Sequence, residues 1–575
     1  MLHSSIEQRL RHAVVEVVPD VNLSDIHIQP CPDAKFGDYQ TNALMSVAKA
    51  LRKNPRQLAT DVLKCLNVAD ICEFAEIAGA GYINFKLKDE ALAAALAQAD
   101  GHPDKLLGIR CKPRTFVIDF SSPNTAKPMH VGHIRSTVLG ESIARTLRFL
   151  GHRVIKDNHI GDWGTQFGKL IVGWRSILRP QALKEDPMGE MERLYKSVSA
   201  ECEANPETLA LARQELKTLQ EGDAANLSIW NEMTRWSMDE FERMYGRLGV
   251  QFDHTLGESF YNSRLKGVVD DLVAQNIARE SEGAIVVFFE DSTELKDHPA
   301  LVRKSDGAAN YTTTDLATVA YRLETWSPDE IVYVTDGRQQ LHFKQLFAIC
   351  QKWLKSDAAP VKLTHVWFGS ILGEDGKPFR TRSGETVSLE GLLDEAEERA
   401  LAVVTTKNPD LSENDRREIA RVVGIGAIKY ADLLPNRQSD SVFNWEKMLS
   451  FNGNTAPYLQ YAYARVMSLF RKMEPVAAQD PASPFSLSHP DERRLAAHLL
   501  NFGLVIKAVA GDYRPNYLCT YLFELAGHFA RFYEACPVLK AEAAQRESRL
   551  LLCRVTGQVL KQGLDLLGIE TVDRM

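Results

Sequence analysis

The feature that most restricts what this chain can fold into is a strand, turn and helix written in residues 114–151. RTFVIDF (114–120) is a short apolar run of the kind that fills the middle of a sheet. SSPNTAKPMHVGH (121–133) is rich in turn-forming residues, and IRSTVLGESIARTLRFLG (134–151) has the apolar spacing of a long amphipathic helix. RVIKDNHIGDWG (153–164) then returns as a second strand and a Gly-containing loop. Strand, turn, helix and strand within about 45 residues make a βαβ unit, which implies a parallel sheet with a right-handed crossover.

Around this unit the 575 residues read as three blocks: 1–108, 112–390 and 391–575. The first is a small α/β block. Helical patterns run through IEQRLRHAVVEVV, TNALMSVAKALRKN and PRQLATDVLKCL, and GAGYINFKL (79–87) alternates Ile83, Phe85 and Leu87 with polar residues as a half-buried strand does. In the second, IVVFF, EIVYVT and LTHVWFG are further strand candidates, and the charged stretch 175–249 reads as a helical insertion. The third is helical nearly throughout, from VGIGAIKYADLL to ESRLLLCRVTGQVLKQGLDLLG. The composition is that of a globular protein, with 45% hydrophobic and 25% charged residues, and it excludes fibrous and disordered classes. Nine cysteines without any CxxC pair argue against a disulfide framework and a thiolate metal site, and for reduced thiols in the cytoplasm. The first residues lack a secretory pattern, and no membrane span is expected. The net charge of −8 disfavours indiscriminate duplex binding, although residues 451–575, with 14 basic and 12 acidic side chains, are the least acidic part.

The chemistry concentrates in the turn. In open α/β sheets ligands bind where strands end and helices begin. His130-Val131-Gly132-His133 enters the helix there, where free backbone N–H groups and the positive end of the dipole favour phosphate. Gly132 lets a flat ligand approach the backbone. Two imidazoles three positions apart can donate to one phosphate as charge builds on it, and Lys127 adds a cation. Taken alone, two such histidines also fit a solvated helix start or part of a metal site. The absence of HExxH and of a nearby cysteine weighs against the metal.

The longer string SSPNTAKPMHVGH, followed by NHIGDWGTQFG at 158–168, resembles the HIGH motif region of class I aminoacyl-tRNA synthetases, and the arginyl-tRNA synthetases in particular. FGDYQTNALMSVAKALRKNP is similar to that family's extra N-terminal domain, YLQYAYARVMSL to the start of its anticodon-binding domain, and LGIETVDRM to its ending. The resemblance implies a Rossmann-like catalytic domain of the α/β class, a small α/β N-terminal domain that approaches the tRNA elbow, and an all-helical C-terminal domain. It implies an enzyme that makes arginyl-adenylate from L-arginine and ATP with magnesium, then charges tRNA(Arg). It also implies a monomer that needs tRNA before it activates arginine. By the same match His130, His133 and Lys127 are the expected catalytic residues, and with Gly132 and Arg382 they form the expected ATP site.

Arginine, a planar cation with five donors, calls for carboxylates, polar acceptors and an aromatic face. Asp119, Asn124, His159, Tyr311, Asp315 and Gln339 stand where the family places such groups. Tyr311 and Asp315, one helical turn apart, can face one ligand. The family often has Glu where this chain has Asp119. The second class I signature loop corresponds to GKPFRTRSGETVSLEGLL (376–393), which lacks the first lysine and offers Lys377, Arg380 and Arg382 instead. For tRNA the candidates are Phe36, Tyr39, Gln40 and Asn42 near the start, and Tyr458 and Arg465 in the helical block. Tyr461, Tyr463, Tyr513 and Arg514 are further aromatic and basic possibilities. Three rivals remain on this reading. A synthetase of another specificity shares the HxGH element but is opposed by the acidic candidates and by NHIGDWGTQFG. A small-molecule nucleotidyltransferase would not need the C-terminal block, and a non-enzymatic tRNA-binding relative would not need His130, His133 and Lys127.

Overall fold

A computed structural model describes residues 1–108, 112–354, 361–373, 375–377, 379, 387–473, 485 and 487–575. The chain forms two compact units. One holds residues 113–148 and 152–448, and the other holds residues 1–112, 149–151 and 449–575.

The first unit is built on a five-stranded, all-parallel sheet. Its strands are β1 (Thr115–Phe120), β2 (Arg153–Asn158), β3 (His254–Thr255), β4 (Glu330–Val334) and β5 (Lys362–His365), in the order β5-β4-β1-β2-β3. Val117 pairs with Ile155 on one side and Ile331 on the other. Phe116, Val117, Ile118 and Phe120 are at most 2% exposed, which is why RTFVIDF carries apolar residues on both faces rather than alternating. The crossover helix α1 (Val131–Phe149) packs directly on β1. A Cβ on its Gly140 would stand 2.3 Å from the Phe120 ring, so this glycine sets the approach of helix to strand.

The charged insertion is helical, as its pattern predicts: α2 (Gln166–Ile177), α3 (Pro187–Ala204) and α4 (Ala224–Arg247) enclose a small core of Phe167, Leu170, Met191, Leu194 and Met233. Beyond it, α5 (Tyr311–Trp326) precedes β4 and α6 (Gln340–Trp353) precedes β5. IVVFF does not join the parallel sheet. Ala284–Val287 lies between Arg279–Ser281 and Ala300–Arg303 in a separate antiparallel sheet. The reason is the turn at Glu282-Gly283, both at positive φ (+51° and +77°), which folds the chain back as a tight hairpin.

The boundary expected at 391 also differs. Helices α7 (Leu389–Lys407) and α8 (Glu413–Leu433) fall in the first unit, not with the C-terminal bundle. Arg247 of α4 pairs with Asp394 and Glu397, Lys429 donates to the Leu248 carbonyl, and Arg135 of α1 pairs with Asp432. These are long-range polar contacts that helical periodicity does not reveal.

In the second unit the N-terminal residues form a four-stranded antiparallel sheet in which Tyr82–Leu87 is a central strand, flanked by Tyr39–Thr41 and Cys72–Ala78. Ile83, Phe85 and Leu87 point inward as the alternation predicts. The C-terminal helices Ala456–Arg471, Pro490–Leu499, Phe502–Asp512, Asn516–Ala535 and Ala543–Leu566 form a bundle. The apolar stretch 490–512 is two helices of 10 and 11 residues, each too short to cross a bilayer. Asp38, in FGDYQ, has a packing role: its carboxylate accepts from Leu87 N and from both terminal nitrogens of Arg493.

Under the carboxyl ends of β1 and β2 lies a buried ionic triad. Arg322 of α5 is fully buried, and its Nη2 is 2.6 Å from Asp119 Oδ2 and 2.8 Å from Asp157 Oδ2. Burial, with Asp119 alongside, pushes the Asp157 carboxyl above its ordinary range despite the guanidinium. Removing one member of such a group strands charge in a low dielectric. Arg322→Met is therefore expected to cost about 3–5 kcal/mol, and replacing all three members by apolar residues of similar volume should cost far less. Urea unfolding of the two variants checks this.

Candidate active site

The turn before α1 is held in an unusual backbone. Ser121, Ser122 and Ala126 have positive φ (+72°, +48° and +59°), a conformation that non-glycine residues keep only when surroundings over-determine it. The surroundings do so. Ser121 N donates to Ser136 Oγ, which in turn donates to the Val334 carbonyl. Ser122 N donates to Asn158 Oδ1, and Ala126 N to Ser237 Oγ. Thr125 N and Gly161 N exchange bonds with Gly161 O and Pro123 O, which ties this turn to the NHIGDWG loop. A Cβ on Gly161 would lie 2.0 Å from Asn124 Oδ1, so a side chain there would displace that of Asn124.

The fastened turn presents His130 and His133 with ring centroids 4.0 Å apart. Gly132 N donates to His130 Nδ1 at 3.0 Å and His130 N donates to His133 Nδ1 at 3.1 Å. With both Nδ1 atoms accepting, both rings carry their proton on Nε2 and offer it as a donor. Burial, with His130 beside it, lowers the His133 pKa to about 3. Burial, then Arg338 and Lys127, also lowers that of His130. Both rings are thus neutral at physiological pH and present an Nε2 proton as a donor. A Cβ at position 132 would meet the His130 ring at 2.8 Å, which accounts for the glycine of the motif. His130, Gly132, Arg338, Phe368 and Phe379 line a cavity of about 210 Å³. Arg382 and Arg380 lie outside the described residues.

A second, acidic region sits nearby in the same unit. Asp315 of α5 accepts from His342 Nε2 at 2.6 Å, and the exposed Tyr311 ring packs edge-on against the same imidazole, 4.9 Å away. The sequence reading missed His342, Asp162 and Glu258. Asp162 accepts from Ser259 N and Oγ. Burial, with Asp315 and Asp162 next in effect, raises the Glu258 pKa to about 8. Glu258 thus carries the charge effects of two other acids, of which Asp315 is paired with His342 and Asp162 is held by Ser259. Glu258 stands in LGESF, where no spacing pattern distinguishes it from a surface glutamate.

Of the residues expected for arginine, Tyr311 and Asp315 come together as their helical spacing predicts, and Gln339 is exposed in the turn leading into α6. Asn124 bridges to Gly161, and His159 packs on Tyr261 with its buried Nδ1 unpartnered. Asp119 lies beneath the others, 5% exposed, with one oxygen on Arg322 and the other accepting from Ser122 Oγ. The guanidinium that it holds is the protein's own.

In the other unit, Tyr39 corrects the sequence reading: at 1% exposure it is a core residue and presents no face to a nucleic acid. Phe36 is 50% exposed beneath Lys35, while Gln40 and Asn42 are half-buried. Tyr463 and Tyr513 are buried, Arg514 and Tyr458 are half-buried, and the Tyr458 ring packs on Phe523. Arg465 stacks over Tyr533 at 4.6 Å, and both line a groove of about 350 Å³ with Tyr461, Arg471, Lys472 and Arg574.

Comparison with known proteins identifies the family. Residues 100–445 match the family described as tRNA synthetases class I (R), catalytic domain; residues 459–575 match the DALR anticodon binding domain, and residues 2–87 the arginyl tRNA synthetase N terminal domain. An arginine–tRNA ligase of Laribacter hongkongensis is 45% identical across 100% of this chain and 99% of its own. The arginyl-tRNA synthetase structures from Plasmodium falciparum (28% identical, 100% and 99% covered) and Thermus thermophilus (27%, both chains fully covered) each superpose with a TM-score of 0.84. With its catalytic, anticodon-binding and N-terminal segments all matched in one chain, this protein belongs to the arginyl branch of the class I tRNA synthetases.

Proposed function

We infer that this protein is an arginine–tRNA ligase: it activates L-arginine with ATP and transfers it to the terminal ribose of tRNA(Arg). The observation that carries the reading is the juxtaposition, within one unit, of two neutral imidazole donors at a cavity and a carboxylate cluster suited to a guanidinium.

In the first step a carboxylate oxygen of arginine attacks the α-phosphorus of ATP. The bond from that phosphorus to the bridging oxygen breaks, and pyrophosphate leaves with the electron pair. His130 and His133 donate from Nε2 to the oxyanion of the transition state, Gly132 lets the nucleotide lie against the helix start, and Lys127 neutralises the departing phosphates. Asp315 and Glu258 hold the guanidinium, with Tyr311, Asn124, His159 and Gln339 completing the rim. In the second step a ribose hydroxyl attacks the carbonyl carbon and AMP leaves. Among the described residues no three acids or imidazoles are gathered to cage a metal. Magnesium would travel on the nucleotide's own phosphates, and no step here depends on it.

The groove of Tyr461, Arg465, Arg471, Lys472, Tyr533 and Arg574 is suited to single-stranded RNA, since aromatic faces stack on bases while cations track the backbone. We take the enzyme to be a cytoplasmic monomer, which sedimentation equilibrium would test.

Aminoacylation of bacterial tRNA with each amino acid in turn tests the function. Arginine alone is expected to be charged, and charging of a different amino acid would overturn the reading. His133→Ala is expected to lower the adenylation rate by about 10²–10³, the usual effect of losing one preorganised donor, with arginine affinity little changed. Single-turnover kinetics reads both.

Arginine binding should also depend on pH. Glu258 is protonated below about 8 in the free enzyme and must ionise to pair with a guanidinium. Affinity is therefore full above pH 8 and falls as pH drops below it, by about tenfold per unit until the pKa of the bound state is reached. Glu258→Gln should flatten this profile. Calorimetric titration with arginine on either side of pH 8 checks it.

A further inference from the structure

Two ammonium groups converge on one aromatic ring beside the adenylation site. Lys127 Nζ lies 4.6 Å and Lys169 Nζ 5.6 Å from the centroid of Tyr195. The three residues come from three segments: the turn before α1, the first turns of α2, and the middle of α3. All three are half-buried. Among the described residues neither lysine has a carboxylate within ion-pair distance; the one polar contact is from Lys169 Nζ to Ser199 Oγ at 3.2 Å. Arg338, the other cation acting on His130, is by contrast held by Asp336.

This pair is placed by the backbone rather than by chance. Ala126, next to Lys127, is fully buried in the insertion's core, in a left-handed conformation fixed by Ser237. Lys169 follows Gly168, whose Cβ would collide with the Ala212 carbonyl at 2.1 Å, so α2 is locked against the insertion at that point. A ring face attracts a cation only modestly, so Tyr195 alone does not neutralise either ammonium group. What completes such a pair is a multivalent anion. Lys127 stands three residues before His130 in the same turn, so that anion would lie beside the histidine pair.

We propose that Lys169, with Tyr195 as the shared platform, extends Lys127 into a two-lysine subsite that receives the leaving pyrophosphate. The proposal rests on the ligase reading above. When the bond from the α-phosphorus to the bridging oxygen breaks, the negative charge that moves onto the β-phosphate meets Lys127 first and Lys169 next. Tyr195 holds both ammonium groups apart from any carboxylate. Lys169 is thus a binding residue, and Tyr195 a positioning residue.

The test is calorimetric titration of the full-length enzyme with inorganic pyrophosphate, alongside tRNA charging with arginine. Lys169→Met is expected to weaken pyrophosphate binding by about tenfold, as loss of one charge-assisted contact does, and to leave the KM for tRNA unchanged. Tyr195→Leu should weaken it as well, whereas Tyr195→Phe, which keeps the ring, should restore it. Thermal unfolding separates these effects from loss of fold. Wild-type pyrophosphate affinity in a folded Lys169→Met protein overturns the subsite. So does a change confined to the KM for tRNA, which would assign the lysines to the phosphates of the acceptor strand. Weakened pyrophosphate binding in Lys169→Met, together with a wild-type protein that binds pyrophosphate but charges no arginine, would uphold the subsite and overturn the ligase reading instead.

Discussion

The catalytic unit turns on the single guanidinium of Arg322 between Asp119 and Asp157. Two carboxylates at the ends of adjacent parallel strands would repel and would not ionise together in a dry core. Arg322 permits the two strand ends to lie in register, and Asp119 in turn accepts from Ser122, the second residue of the turn that follows. The strained turn therefore departs from a point fixed by charge. Its onward path is set by the hydroxyl and amide contacts of Ser136, Asn158 and Ser237. A turn held on all sides can store positive-φ residues where chemistry needs an unusual backbone.

Two electrostatic regimes follow in one unit. At the start of α1 the donors are neutral, because burial keeps the imidazoles unprotonated and the backbone amides occupy their Nδ1 atoms. At Glu258 the balance is acidic instead: burial, then Asp315 and Asp162, raises its pKa to about 8. On the proposed function a nucleotide phosphate and a guanidinium would be sorted by opposite means: one region supplies donors without charge, the other charge without enough donors. Lys127 stands between these regimes and the insertion, where Tyr195 and Lys169 continue the positive field.

Much of this was legible from local chemistry. RTFVIDF had to be a buried strand, and HVGH had to open a helix. Tyr311 and Asp315 had to share a helix face, because the relevant neighbours lie within one turn of one another. The errors share a cause as well. IVVFF is apolar enough for the parallel sheet, but the Glu282-Gly283 turn sends it elsewhere. Tyr39 looks like a stacking residue until the sheet of the N-terminal part closes over it. Helices α7 and α8 have the periodicity of a bundle, yet their polar residues are matched to the catalytic unit.

The sequence by itself determined the βαβ unit, the histidine pair with its glycine, the three-part order of the chain and its family, since each depends on spacing along the backbone. Only the tertiary structure decided which charges meet. It brought Arg322 to Asp119 across 203 positions, set Glu258 against Asp315 and Asp162, and placed Lys169 beside Lys127 on one ring. Coulombic and desolvation effects act through space, over distances that sequence separation does not encode.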